Sequence, residues 1–594
     1  MKHICLAGLF LLTPFLLFSQ VRYPGSSIAT TNNALSVLYN PAGLGMSRGF
    51  NVFYLQNQAR NRKIESNGAV YAQFLGDWGF GTEWYKLNGK RIKSYHLATA
   101  LPIDRGLYLG FDYNWFEDKR IFSAGLQFRP IPSLSIGSVW RNKRDLPDSF
   151  QWGFGFRPFG SRFTLGIDGK FNSDKKWDED NQITGFSSIE FLDGMYLNGH
   201  YSKDFFGFSF QFNWRFIGYE IYNRFDDKSN HLGGSMATYI STDRMRSYVQ
   251  IPRKKWVQIN LVGEIKEEPR PFGLFWKKPP GIRDVIAKIK KLQKDNEVKG
   301  LIIRTKNLSI SAAGYEEIRS ALKFFGKSGK AVWFYAESYD NLDYYLASVA
   351  DSVFLNPAGN VNLVGLKIIK RYYKGIFDKL GIVPQYEKIG DFKTFSNQFT
   401  EKAMSAAEKQ MLESILENLY QNFLESIAGG RNIPKDKLKV LIDKAPYNSQ
   451  MALKAGLVDK LLYSDQFRDL LERQKIKVVE AKEYFALKDY QYDWKGFFDP
   501  TIALIYATGL IVSGENTSAV FLGNLMGSET IAGAIRNARK NSRIKAVVIR
   551  IDSPGGDAAA SEIIWREVFL TTHGKNKKPV IISMGNTAAS GGYM

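Results

Sequence analysis

From about Arg22 to Arg253 the chain alternates apolar and polar or glycine positions with a period of two, the signature of strands with one apolar and one polar face. Phe150, Trp152, Phe154 and Phe156 alternate with Gln151, Gly153 and Gly155. Phe206, Phe208, Phe210, Phe212 and Trp214 alternate with Gly207, Ser209, Gln211 and Asn213, and Leu107, Leu109, Phe111, Tyr113 and Trp115 with Tyr108, Gly110, Asp112 and Asn114. Helical periodicity is absent there. Segments of this kind, separated by polar turns such as Asn88-Gly89, Glu117-Asp118 and Asp226-Asp227, predict roughly 12 to 14 strands of an antiparallel β-barrel, in which closure removes exposed edges. After Lys255 the pattern changes: apolar runs (Val257 to Val262, Gly300 to Ile303) alternate with helical segments (Ile282 to Leu292), which predicts an α/β region.

Faces made of Phe and Trp suit a lipid-facing aromatic belt, whereas a soluble barrel or sandwich would bury them; the membrane barrel is the expectation. The run Asn33 to Gly45, with Asn40-Pro41-Ala42-Gly43, resembles the opening of outer-membrane barrels of the fatty-acid transporter type. Lys2 and His3 followed by apolar Ile4 to Phe18 and small Ser19 read as an export leader over residues 1–20. That run is shorter than a bilayer-spanning helix, so a helical anchor is not expected.

The α/β region contains an internal repeat. Ile282 to Leu292 followed by Glu297 to Arg304 is matched by Ile531 to Lys540 followed by Arg543 to Arg550, and Gly329 to Tyr335 corresponds to Lys577 to Ser583. Two tandem copies of one α/β fold are expected, at residues 254–490 and 491–594, after the barrel at 21–253. Between them Met404 to Ile427 reads as a long amphipathic helix.

The only cysteine, Cys5, lies in the leader, so the exported chain has no thiol chemistry or disulfides. None of the five histidines pairs with another at ligand spacing; no metal and no cofactor are expected. The formal charge of +22, from 80 Lys+Arg against 58 Asp+Glu, would fit nucleic acid or anionic lipid. Export argues against nucleic acid, no nucleic-acid motif is present, and the spread of the lysines favours solvated faces or attraction to a membrane.

Two glycine-rich turns follow strands of the second copy: Asp552-Ser553-Pro554-Gly555-Gly556-Asp557 and Ala588-Ala589-Ser590-Gly591-Gly592-Tyr593. Glycines after a strand let backbone N–H groups approach a ligand, as an oxyanion hole requires, and a serine among small residues places a hydroxyl on a sharp turn. Either turn alone is commonly only a loop; their succession within one domain strengthens the functional reading.

With Ala559 to Glu562, Lys578-Pro579-Val580 and Ser583-Met584-Gly585, these turns resemble the long, 67K type of signal peptide peptidase A, peptidase family S49, in the Clp protease and crotonase superfamily. The likeness runs from about Val257 to Met594. It implies a serine endopeptidase with a Ser-Lys dyad acting on cleaved signal peptides and other short peptides. Ser590 would be the nucleophile, and Lys393, in Gly390-Asp391-Phe392-Lys393, the general base. Gly555, Gly556 and Gly591 are the expected oxyanion donors.

A lysine acts as a base only when neutral, so burial must lower its pKa, and Ile389, Phe392 and Phe395 are expected to supply the desolvation. The first copy has Leu342 in place of Ser590 and Thr305-Lys306-Asn307-Leu308 without a Gly-Gly, so the active site is expected between the copies. By the same likeness a tetramer-like homo-oligomer is implied. Peptidase domains in the periplasm and a barrel in the outer membrane are the expected location. The second copy reads as incomplete, ending four residues after Ser590. The alternatives are a barrel for transport or tethering with a degenerate peptidase region, and an acyl-CoA enzyme of the wider superfamily.

Overall fold

The computed structural model describes residues 26–46, 49–59, 64–87, 90–117, 119–143, 147–174, 182–249, 254–267, 281–519 and 523–594. The expected leader, with Cys5, lies outside the described residues, as do the turn residues Asn88, Gly89 and Asp118. Two compact units are present: residues 1–251 with 485–501, and residues 252–484 with 502–594.

The first unit is a closed barrel of fourteen strands in sequence order, from Asn51–Ala59 to His231–Ser241. The last strand pairs antiparallel with the first, Asn51 opposite Ser241, so the sheet has no free edge. The two faces of the alternation separate cleanly. Phe111, Tyr113, Phe150, Phe154, Phe208, Phe210 and Trp214 point outward and are exposed, whereas Asp112, Asn114, Gln151, Ser209 and Asn213 point inward and are buried. Polar side chains inside and apolar ones outside invert the arrangement of a soluble barrel and match that of a barrel bounded by lipid.

The inward polar groups bond to chain that lies against the inner wall. Residues 26–46 pack there, with short 3₁₀ turns at Ala34–Val37 and Pro41–Met46. Arg141 Nη2 donates to the carbonyls of Leu38 (2.6 Å) and Tyr39 (3.0 Å), Gln73 Nε2 to Leu44 (2.7 Å), and Asn51 Oδ1 accepts from the Ala34 nitrogen (2.6 Å). Buried backbone groups that no ladder satisfies thus find side-chain partners. Gly110 lies where wall and inner segment touch: a β-carbon there would stand 2.2 Å from the Ala42 nitrogen.

Residues 485–501 also belong to the barrel unit. Trp494 is buried under the guanidinium groups of Arg157 (3.8 Å) and Arg129 (4.7 Å), and Arg157 Nη1 donates to the Tyr492 carbonyl at 2.7 Å. Tyr490 Oη donates to Asn32 Oδ1 at 3.1 Å, which joins this segment to the inner one. Cation–π contact is strongest where both partners are out of water, as Arg129 and Trp494 are.

The second unit holds both α/β copies. In the first, a parallel six-stranded sheet places Lys255–Glu264, Val298–Ser309, Ala331–Ala336 and Ser352–Leu355 side by side. Helices Ile282–Lys294 and Ala312–Gly326 follow the first two of these strands, and the long helix spans Ala406–Arg431. The second copy pairs Ile544–Ser553 with Val580–Ala588 in parallel, with helix Ala558–His573 between them. The repeat holds in detail: Ser311 and Asp557 cap equivalent helices through their side chains, and Gly263 and Gly509 both have positive φ.

At the start of the first copy's helix Asn341–Ala347, Asp343 is buried and accepts from Tyr315 Oη at 3.1 Å. Burial and the nearby Asp340 charge push its carboxyl up to about 7, against the Tyr315 bond, which lowers it. The folded state therefore holds a proton that the unfolded chain has released, and stability falls as pH rises from about 4 to about 7. Asp343→Asn keeps the acceptor for Tyr315 and removes the charge. Urea unfolding of the variant is expected to show greater stability than native at pH ~8 and no advantage below pH ~4.

In the barrel, Gly110→Leu is expected to push the inner segment off the wall, costing about 1–3 kcal/mol. Limited proteolysis should then cleave within residues 27–44, which the native chain protects.

Candidate active site

The strand Val580–Ala588 ends at Ala589, whose nitrogen donates to the Ser553 carbonyl at 3.1 Å. Ser590 then turns into the left-handed region, with φ of 52°, and a 3₁₀ turn runs from Ser590 to Gly592. A β-substituted residue is uncommon there and costs energy, so the turn is held by its surroundings. It is fastened by the Gly592 nitrogen on the Ala589 carbonyl (2.9 Å) and the Tyr593 nitrogen on the Ser590 carbonyl (2.9 Å). The hydroxyl-bearing residue is exposed at the sheet's carboxyl end.

The neighbouring turn reaches Ser590 directly. Gly555 has φ of 94°, and a β-carbon on it would stand 2.6 Å from the Ser590 β-carbon and 2.9 Å from the Gly591 nitrogen. Ser590, Gly555 and Gly591 are therefore brought together. Gly556 is held beside Ile511, since the Asp557 nitrogen donates to the Ile511 carbonyl (3.0 Å) and the Ile511 nitrogen to the Gly555 carbonyl (2.9 Å).

The three glycines differ in what their N–H groups do. That of Gly555 donates to Ser553 Oγ at 3.2 Å, while Ser553 Oγ donates to the Gly509 carbonyl at 2.7 Å. Among the described hydrogen bonds, those of Gly556 and Gly591 have no partner. Gly591 is packed against Ser561, which is buried and donates to the Asp557 carbonyl at 2.7 Å. Ser553 and Ser561 stand in the quoted motifs, yet nothing in a motif tells that their hydroxyls brace the two turns.

Lys393 lies in the first copy, in the turn before the short helix Asn397–Thr400, and is exposed. Among the described hydrogen bonds none joins it to Ser590. The apolar residues expected to desolvate it do not do so within this chain: Ile389, Phe392 and Phe395 are 94%, 58% and 69% exposed. Sequence shows that they are apolar but not which surface they meet. The turn is nonetheless anchored from behind. Asn397 Oδ1 accepts from Lys388 Nζ (3.2 Å), its Nδ2 donates to Ser405 Oγ (3.2 Å), and Glu408, fully buried, accepts from Tyr372 Oη (2.9 Å). Burial and the Glu408 bond raise the Tyr372 hydroxyl to about 12, so it stays a donor.

No group of His, Cys, Asp and Glu able to hold a metal ion occurs among the described residues. The arrangement offers a serine on a strained turn, the Gly591 N–H beside it without a partner among the described hydrogen bonds, and a lysine on a braced loop of the other copy.

Residues 325–478, within the first copy, match the model of peptidase family S49. Over those residues the α/β region is similar to peptidase family S49. The chain is similar to Protease 4 of Salmonella typhi, with 34% identity over 52% of this chain and 51% of that protein. It is also similar to the chloroplastic serine protease SPPA of Arabidopsis thaliana, at 32% identity over 50% of this chain and 44% of that one. Protease 4 of Haemophilus influenzae gives 32% identity over 52% of each. The chain thus spans about half the length of the curated relatives it matches.

In the second copy the close fit at Gly591 is testable. A β-carbon there would stand 2.1 Å from Ser561 Oγ, so Gly591→Ala is expected to destabilise the turn by about 1–3 kcal/mol. Adding Ser561→Gly should restore most of the loss in a hydrogen-exchange measurement over residues 586–594.

Proposed function

We propose that the α/β unit is a serine endopeptidase that cleaves short apolar peptides, cleaved signal peptides among them, in the cell envelope. The observation that carries the reading is the strained Ser590 at a strand end, with the Gly591 N–H beside it and without a partner among the described hydrogen bonds. Ser590 Oγ attacks the scissile carbonyl, Lys393 takes its proton and returns it to the leaving amine, and the glycine N–H groups, Gly555 included as the turn adjusts, hold the oxyanion. Water then releases the acyl group by the same proton shuttle. No cofactor is needed for these steps.

Neutral Lys393 requires desolvation, and the exposed apolar loop at Ile389, Phe392 and Phe395 indicates its source. Packing of a further copy of the chain on that loop, in the tetramer-like homo-oligomer implied by the family resemblance, removes water from the lysine. The barrel, apolar outside and polar inside, is assigned to the outer membrane, with the peptidase unit in the periplasm. No helix among the described residues is long and apolar enough to cross a membrane. The rival reading, transport or tethering by the barrel with a degenerate peptidase region, predicts no reactive serine.

Full-length protein in detergent is expected to hydrolyse a fluorogenic apolar peptide and to be labelled by a fluorophosphonate. Ser590→Ala should abolish both, and Lys393→Met should lower kcat by about 10²–10⁴. Hydrolysis by Lys393→Met at the native rate would end this mechanism, and a native chain that neither cleaves nor labels would favour the rival.

A further inference from the structure

Arg550 lies on the strand Ile544–Ser553 of the second copy and is buried. Its Nε and Nη2 form a fork on Glu267 (2.8 and 3.2 Å), Nη2 also meets Glu317 Oε1 at 2.8 Å, and both acids belong to the first copy. Its remaining nitrogen, Nη1, donates to Ser583 Oγ (3.0 Å) and to the Met584 carbonyl (3.1 Å) on the neighbouring strand, the one that ends at Ser590. One guanidinium therefore ties the serine-bearing strand to two acids of the copy that carries Lys393. A planar fork with five donors can fix direction as well as distance, which a lysine cannot.

The internal repeat shows that this arrangement is specific to one junction. Arg304 is the counterpart of Arg550, and each faces its equivalent partner across the sheet, Arg304 opposite Tyr335 and Arg550 opposite Ser583. Arg304 instead lies over the rings of Tyr335 (4.6 Å) and Phe467 (5.8 Å) and donates to Ser464, all within its own copy. The positions equivalent to Glu267 and Glu317 are Ser513 and Ile563, so the second copy does not carry the acids. The same strand position serves as core packing in one copy and as a cross-copy ion cluster in the other.

We infer that Arg550 is a positioning residue that fixes the two α/β copies relative to each other, so that the loop bearing Lys393 and the turn bearing Ser590 keep one mutual placement. The inference rests on the proposed Ser-Lys chemistry for its consequence in catalysis. Its mechanical part does not.

Both parts can be measured on the full chain. Spin labels on exposed Lys323 and Glu562, one in each copy, should give a narrow distance distribution in the native protein. Arg550→Met and the double variant Glu267→Gln/Glu317→Gln should each broaden it, with each copy still folded by hydrogen exchange. In the peptide assay Arg550→Met is expected to lower kcat at least tenfold with KM within twofold. Combining it with the acid substitutions should cost less than a further twofold, because all three side chains act as one unit. An unchanged distribution would overturn the inference, and so would native kcat in Arg550→Met. If the distribution broadens while the native chain shows neither hydrolysis nor fluorophosphonate labelling, the junction stands as described and the peptidase reading falls.

Discussion

Backbone laid against backbone, with no space for a β-carbon between, is the constraint on which both units depend. In the second α/β copy the turn at Gly555 closes on the turn at Ser590, and a methyl group on Gly555 would overlap the serine's own β-carbon at 2.6 Å. That contact holds the serine where its φ of 52° is tolerated and sets the Gly591 nitrogen beside it. Inside the barrel the same device admits chain to the wall: at Gly137 a β-carbon would stand 2.2 Å from the Ile28 carbonyl oxygen. Glycine costs conformational entropy in a strand, and the cost is offset where close approach lets buried polar groups pair.

The period-two alternation was enough to read strands, their number and their closure, because side chains must alternate across a pleat whatever the partner. It left open which face turned inward, since a soluble barrel and a lipid-bounded one share the period. The inward glycines Gly110, Gly153 and Gly155 were visible as gaps in the polar face, but what fills the space opposite them comes from elsewhere. Gly110 meets Ala42 and Gly155 meets Thr30 and Trp494, contacts between segments far apart in sequence and without periodicity of their own. The segment Tyr490 to Trp494 shows the same limit. In the sequence it marks the junction between the copies, whereas in the structure its aromatic rings pack under Arg129, Arg157 and Arg246 of the barrel unit.

Charge was legible in sum and not in place. The +22 is the excess of 80 Lys+Arg over 58 Asp+Glu, and the lysines are spread along the chain, as a solvated surface requires. Several arginines do something else: Arg129 and Arg141 are buried in the barrel, and Arg141 there serves carbonyl groups that have no ladder partner. The candidate site divides in a similar way. Ser590 and its glycines were readable because they are close in sequence to strand ends, where geometry is local. The environment of Lys393 was not, because the apolar side chains around it face outward and their covering cannot be inferred from their composition.

The repeat bears on why the proposed Ser-Lys chemistry draws on both copies. A duplicated fold offers two equivalent strand ends, and the proposed reaction uses a nucleophile at only one of them. The two copies differ at Asn307 to Ile310, which stand where the second has Ser553 to Gly556, and at Leu342, which stands where it has Ser590. The helix after the counterpart strand carries the buried Asp343, whose carboxyl is pushed up to about 7, an environment that resists charge rather than stabilising an oxyanion. Residues of the first copy face its twin: Glu267 and Glu317 do so at a point where the second copy carries Ser513 and Ile563. A buried guanidinium with two carboxylates is a poor source of stability compared with apolar packing of equal volume, because desolvation offsets most of the attraction. Its presence where the two copies meet is accounted for, on the inferred positioning role, by direction: an ion cluster fixes a register that apolar packing of the same surfaces would leave free to slide.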